Sequence, residues 1–391
     1  MTPRTFSFRL SLFNGFLYLG AGMQLPFLPL WLKDRGLAPS EIALVVAAMT
    51  AVRILSIPAG TLIADRFGNR RLIVIGAAAA SFAFYLAMGF MPGFYSILAL
   101  AVLAGAMFSP VGPLTEVLAV EGSSHHGIDY GRIRLWASIS FLSGSLAAGA
   151  LLEIVPIAWV IFFIAVCQGG LALAATALPP DPAQAMPEEG PFRVAAIMRF
   201  LASGSFVIFL AATSIAQASH GFMYAFGSVH WDHLGYGKLT IGSLWAAAVL
   251  TEISMFAFSN YFLGLLGPAR LIVVGITCGL VRWVVTGFDP PLWLLFPAMM
   301  LHVGSFALTH LGTMHYIRQA VPAGMRNSAQ GLYAALAGGI LMSLAMWSAG
   351  PLYAAFGGLA YFFMAGMSAV ALGLALALSR LNPRAEPPAA A

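Results

Sequence analysis

The sequence predicts an all-helical integral membrane protein, with twelve transmembrane helices in two halves. Three observations predict it. The 391 residues are 60% hydrophobic and only 8% charged, whereas soluble domains run near 45–50% apolar and about 25% charged. Apolar runs of roughly 20 residues, enough to cross a hydrocarbon core about 30 Å thick, recur along the whole chain. One long polar, proline-rich stretch, "LPPDPAQAMPEEGPFR" at 178–193, divides these runs near the middle. Lipid is therefore the solvent for most of the chain.

The spacing places spans near 8–32, 41–64, 71–90, 93–117, 132–153 and 156–178 in the first half. In the second half they fall near 198–226, 239–264, 269–287, 291–317, 326–350 and 353–379. Pro92–Gly93, Pro156, Gly267–Pro268, Pro290–Pro291 and Gly350–Pro351 punctuate the set, and Pro110 and Pro113 kink the fourth span. The expected organisation is a first bundle over 1–178, a cytoplasmic linker over 179–197, a second bundle over 198–381 and a disordered tail over 382–391. The N-terminus, with no small-residue cleavage site, reads as a retained first span.

Orientation follows from the basic residues. With both termini cytoplasmic, the inner segments hold fourteen of the nineteen Lys and Arg, and the outer ones hold only Lys33, Arg35 and Lys238. That asymmetry satisfies the positive-inside rule, and the expected location is the inner (plasma) membrane, as a multi-pass protein. The net charge of +5 thus reflects insertion and not nucleic-acid binding. The remaining two, Arg53 and Arg282, fall inside spans.

The chemistry sought in an enzyme is missing from the sequence. It has no Walker loop, His-Glu-x-x-His pair or Gly-x-Ser-x-Gly elbow, and no extramembrane segment large enough for a catalytic domain. Cys167 and Cys278 lie in apolar stretches and read as small buried hydrophobes. No cofactor or metal is expected. The partners expected are a small-molecule substrate, protons and the lipid bilayer, with the chain a monomer.

At "GTLIADRFGNRR", residues 60–71, the chain resembles the signature loop of the major facilitator superfamily, a glycine followed by Asp-Arg-x-Gly and a basic cluster. Gly60 stands five residues before Asp65 where four is usual, and Asn69 occupies a usually basic position. "GPLTEVLA" (112–119), "YGRIRLWASISF" (130–141), "SHGFMYAFGSVHW" and "LWAAAVLTEI" extend the likeness. Together they look like the phenylpropionate permease branch, which is related to sugar and nucleoside proton symporters. The resemblance implies the major facilitator fold of two six-helix bundles around a central cavity that opens alternately to each side, and a gate in which Asp65 pairs with Arg66, Arg70 and Arg71.

Candidate site residues are the polar groups at membrane depth, because a charge there costs from about 2.5 to more than 10 kcal/mol and normally faces a wet cavity or a partner. Arg53, 12 residues before Asp65, lies about 18 Å along its helix from that end. It reads either as an anion-binding group or as a tie between helices through carbonyls or a buried carboxylate. Asn14 and Tyr18, a turn apart, offer a polar face on the first helix. Gln217, His220 and Tyr224 repeat at 3,4 spacing on the seventh, and Trp245 offers an aromatic wall or faces lipid.

Glu252 on the eighth helix is the expected proton carrier, with Arg282 and His302 beside it, a combination that resembles the proton-handling region of lactose permease-like symporters. A static Glu252–Arg282 pair that only fixes packing is the alternative. Glu116 with Arg132 and Arg134 forms either a cytoplasmic gate or an ordinary helix-end salt bridge. Ser140, Gly144 and Ala148 form a small-residue packing row on the fifth helix.

The functional expectation is proton-coupled import of a small organic acid, aromatic or otherwise carboxylic, by alternating access. A sugar or nucleoside proton symporter is the alternative, ahead of a drug exporter or a transport-inactive membrane sensor.

Overall fold

The computed structural model describes residues 2–127, 130–178, 203–322 and 325–381. The expected linker and tail lie outside the described residues, as do the side chains of Arg132 and Arg134. Helix is the only regular structure among the described residues, and nine helical segments there are long and apolar enough to cross a membrane. Their positions follow the sequence spacing. Helix α1 covers Pro3–Asp34. A kinked span, Pro39–Phe67, contains α2 (Pro39–Ala51) and α3 (Arg53–Phe67). Next come α4 (Arg70–Phe90), α5 (Phe94–Phe108), α6 (Val111–His126), α7 (Tyr130–Leu151) and α8 (Val160–Thr176).

The second half holds α9 (Gly204–Ala218), α10 (Ser228–His233), α11 (Lys238–Ala257), α12 (Ser259–Thr286), α13 (Leu292–Met300) and α14 (Thr309–Ala320). It ends with α15 (Arg326–Tyr333), α16 (Met342–Phe356) and α17 (Tyr361–Leu381). Several expected boundaries move. Helix α16 runs through Pro351 to Phe356 and stops where Gly357 takes φ +55°, since a transmembrane helix tolerates a proline when its freed backbone groups find other partners. The eighth span is interrupted at Phe258, and helix resumes at Ser259 until α12 kinks at Gly267, at the expected Gly267–Pro268 punctuation.

Local chemistry explains the helix ends. Pro3 opens α1 behind Thr2, whose hydroxyl accepts from the Thr5 amide at 3.3 Å. Asn69 has a comparable role for α4: its Oδ1 accepts from the Leu72 amide at 3.0 Å. An arginine there could not accept that bond, which accounts for the departure from the basic pattern. A short internal repeat surrounds it. Gly68-Asn-Arg-Arg-Leu-Ile-Val-Ile-Gly76 recurs as Gly267-Pro-Ala-Arg-Leu-Ile-Val-Val-Gly275. Both leading glycines take positive φ, +61° and +68°, a left-handed conformation that a Cβ disfavours.

The described residues pack as two compact units. The first comprises those within Met1–Ala185 together with Tyr224–Ala246, and the second those within Met186–Met223 and Ala247–Ala391. In the first unit α1 and α7 approach at backbone distance. A Cβ on Gly22 would lie 2.2 Å from the Phe141 carbonyl oxygen, and one on Gly144 would lie 2.4 Å from that of Leu19. Ser145 Oγ donates to the Gly22 carbonyl at 2.9 Å. The row Ser140–Gly144–Ala148 is thus a packing seam against α1, as small residues allow. The second unit is centred on buried side chains such as Phe209, Ile276 and Ala371, and the rings of Phe209 and Tyr316 stack at 4.3 Å. Leu55, Val166, Leu173 and Trp293 are each more than two-thirds exposed, consistent with a protein whose outer surface meets acyl chains.

Candidate functional site

Two arginines at membrane depth have opposite environments. In the first unit, Arg53 stands at the midpoint of the 29-residue span Pro39–Phe67, just after the break at Val52. Pro58, whose ring crowds the carbonyl four residues back, lies a little over one turn further on. Seven and eleven residues separate Arg53 from Gly60 and Ala64, about 20° either way around the helix. Both of those are buried, and a Cβ on Gly60 would sit 2.5 Å from Pro110 Cβ. On an ideal helix Arg53 therefore lies on the same side as these two buried residues. Its side chain is nonetheless exposed, and among the described residues no hydrogen bond or ion pair engages it.

Arg282, in the second unit, is wholly buried. Its Nη1 donates to His302 Nδ1 at 3.0 Å and to Ser305 Oγ at 3.3 Å. Its Nη2 points at the thioether sulfurs of Met223 (2.9 Å) and Met299 (3.5 Å). The guanidinium carbon lies 4.4 Å from the centroid of the Trp283 ring. Past His302, Nε2 lies 3.8 Å from Glu252 Oε2.

These contacts fix proton positions. A guanidinium has only donors, so His302 Nδ1 must accept and the neutral imidazole carries its proton on Nε2, directed at the Glu252 carboxylate. The same reasoning runs along a second branch. Ser305 Oγ accepts from Arg282, so its hydrogen is available to His220 Nε2 at 3.1 Å, while His220 Nδ1 donates to the Gln217 carbonyl at 3.0 Å. Every link has a donor facing an acceptor, and Arg282 sets the direction. Helical irregularity builds this geometry. A π-helical turn over Val303–Leu308 follows His302 and carries Ser305, and another over Met223–Gly227 carries Met223. Such turns are common at functional sites.

The sequence-predicted residues distribute as follows. Glu252, Arg282 and His302 come together, with His302 as the link between the carboxylate and Arg282. Regular helix ends at Ala218, and the π turn follows, so Gln217, His220 and Tyr224 do not continue one uniform stripe. His220 is fully buried in the Arg282 network. Tyr224 and Trp245 lie in the first unit with ring centroids 6.0 Å apart, and Trp245 Nε1 donates to Ser228 Oγ at 2.9 Å. Trp245 is buried, so it does not face lipid. Asn14 is buried and Tyr18 half-buried on α1. At the arginine-rich end, Asp65 lies 3.9 Å from Arg70, Arg66 is exposed, and Arg71 donates to the Thr176 carbonyl. Glu116 is exposed on α6.

Sequence reasoning missed Ser305, Met223 and Met299. It also missed an ion-pair cluster at the opposite end of the first unit. There Lys33 Nζ lies 2.9 Å from Asp232, Lys238 pairs with the same carboxylate, and Glu153 accepts from the Leu239 amide at 2.9 Å. The available signal was an aspartate near the end of the long seventh apolar run, just before the basic outer residue Lys238.

The chain matches the profile of the MFS_1 like family over residues 7–365. It belongs to that major facilitator family. A relative from Escherichia coli (strain K12), described as a probable 3-phenylpropionic acid transporter, is 30% identical over 77% of this chain and 79% of its own length. The maltose permease of Geobacillus stearothermophilus is 26% identical over 84% of this chain and 83% of its own. The nucleoside transporter NupG superimposes with a TM-score of 0.84 at 14% identity, covering 95% of this chain and 98% of that one. The fold is that of major facilitator transporters, and the protein is a membrane transporter of a small-molecule substrate and not an enzyme.

Proposed function

We propose that this transporter imports a small organic acid, aromatic or otherwise carboxylic, together with a proton, across the inner membrane, with both termini cytoplasmic. The observation that carries the reading is Arg53: a permanent charge at mid-span, accessible and with no described carboxylate beside it. A permanent charge at membrane depth normally faces a wet cavity or a partner, and a substrate carboxylate is the group that would complete it. Asn14, Tyr18, Tyr224 and Trp245 are polar and aromatic candidates for the substrate in the same unit. The E. coli relative's phenylpropionate description supports an aromatic acid.

Proton coupling falls to Glu252. It is the titratable carboxylate facing the His302–Arg282 network, and His302, held neutral by Arg282, presents an N–H that stabilises the ionised carboxylate. Protonation of Glu252 removes that attraction, so the second unit has two electrostatic states that differ by one proton. Arg282 and His302 tune the carboxylate, and His220 extends the same network. Asp65, Arg66, Arg70 and Arg71, with Glu116, Arg132 and Arg134, would gate the arginine-rich end.

The test is uptake by proteoliposomes carrying the purified protein under an imposed inward proton gradient. Accumulation of 3-phenylpropionate, collapsed by a protonophore and competed by related aromatic acids, is the expected result. The maltose permease relative motivates the rival substrate class. If maltose or a nucleoside accumulates while the acids neither enter nor compete, the organic-acid assignment is wrong.

A further inference from the structure

The C-terminal end of α8 carries two arginines borrowed from other helices. Arg9 of α1 donates through Nη1 to the Ala177 carbonyl at 3.3 Å, and Arg71 of α4 donates to the neighbouring Thr176 carbonyl. The last turn of α8 has no basic residue of its own. A carbonyl carries no net charge, and the helix terminus offers only about half a negative charge to the pair. Each guanidinium has five N–H donors, and adjacent carbonyls occupy only a few of the ten. Among the described residues no carboxylate bridges to either arginine. Asp65, the nearest acid in sequence, lies 3.9 Å from Arg70 instead. All these groups belong to the first unit.

The surroundings are those of a lipid headgroup. Both arginines are half-buried, so part of each fork faces outward. Exposed apolar side chains flank them in sequence: Phe8 precedes Arg9, Leu72 follows Arg71, and Leu173 is one turn before the α8 terminus, at 66%, 60% and 74% exposure. Two fixed positive forks at the end of a transmembrane bundle, flanked by exposed apolar residues, complement a phosphate joined to acyl chains.

We infer that Arg9 and Arg71 form a headgroup site for one anionic phospholipid, its phosphate bridging the two guanidinia and its chains lying along Phe8, Leu72 and Leu173. The lipid would tie α1, α4 and α8 together at that end of the first unit.

The test is thermal unfolding of the full-length protein in neutral detergent, titrated with phosphatidylglycerol, with phosphatidylcholine of the same acyl chains, or with inorganic phosphate. Phosphatidylglycerol is expected to raise the unfolding midpoint where the other two do not. Arg9→Gln and Arg71→Gln should each weaken its apparent affinity about fivefold, as the loss of one basic contact near a membrane surface predicts. The double variant should lose about 25-fold on the same basis, while Arg380→Gln, at the end of α17, should change nothing. Should the double variant not fold, Arg9→Lys and Arg71→Lys keep the charge, and native mass spectrometry of the unaltered protein counts bound lipid directly. An equal shift with phosphatidylcholine, reproduction by inorganic phosphate alone, or undiminished affinity in the glutamine variants would overturn the assignment.

Discussion

Nη1 of Arg282 lies 3.0 Å from Nδ1 of His302, and that contact decides where the imidazole keeps its proton. With Nδ1 accepting, the hydrogen is on Nε2, and Nε2 faces Glu252 at 3.8 Å. The arginine therefore faces the carboxylate through a ring that it holds neutral, and in the proposed mechanism Glu252 is the group whose protonation changes.

Glu252→Gln fixes the neutral form. Uphill accumulation driven by a proton gradient should vanish, while exchange of labelled for unlabelled substrate across the same vesicles continues and no longer depends on external pH. Uptake measured between pH 5.5 and 8 in both modes separates the two; loss of exchange as well would give Glu252 a binding role.

Arg53→Ala removes the accessible charge. A charge-assisted hydrogen bond contributes about 1.5–3 kcal/mol, so the affinity for a carboxylate substrate should fall roughly 10- to 100-fold. Arg53→Lys should recover part of it, because the charge remains but the planar fork is gone. Ligand-induced thermal stabilisation measures both variants, and an unchanged affinity in Arg53→Ala would remove the anion-binding role.

Asp232→Asn should loosen one end of the first unit. Lys33 and Lys238 share this carboxylate, and without its charge they repel each other. The pair Lys33–Asp232 is partly exposed, so the global stability cost should be about 1 kcal/mol or less. Hydrogen exchange should nonetheless accelerate in the peptide covering 232–240, whose amide at Leu239 is held by Glu153. Unchanged exchange there would mean the ion pairs do not hold the segment.

A glycine pair tests the α1–α7 seam. Gly22→Ala places a methyl 2.2 Å from the Phe141 carbonyl oxygen and should cost about 1–3 kcal/mol through forced separation of the helices. Gly76→Ala, with nothing within 4 Å of the added carbon, should instead gain a few tenths to about 1 kcal/mol from helix propensity. Thermal unfolding of the two variants should move in opposite directions.

Much of the fold was legible because the bilayer imposes a length on each element. The apolar runs found α1, α4 and α8 to within a few residues of their ends. Boundaries failed where local punctuation and backbone behaviour parted: Pro351 looked like a stop, yet α16 passes through it and ends at Gly357. The charged members of the candidate site were also legible, since a charge at membrane depth is conspicuous against aliphatic neighbours. Ser305 and Met223 were not, because each touches Arg282 only through a π turn that no 3.6-residue pattern announces.

The sequence by itself determined that this chain lives in lipid, where its helices run, and which few ionisable groups must have a reason to be there, because transfer free energy depends on composition and length. Only the tertiary structure decided what those groups meet. It sealed Arg282 among His302, Ser305 and two thioethers and left Arg53 accessible. That difference arises from which helices pack side by side and where their turns deform, and neither is written in the spacing of residues along one helix.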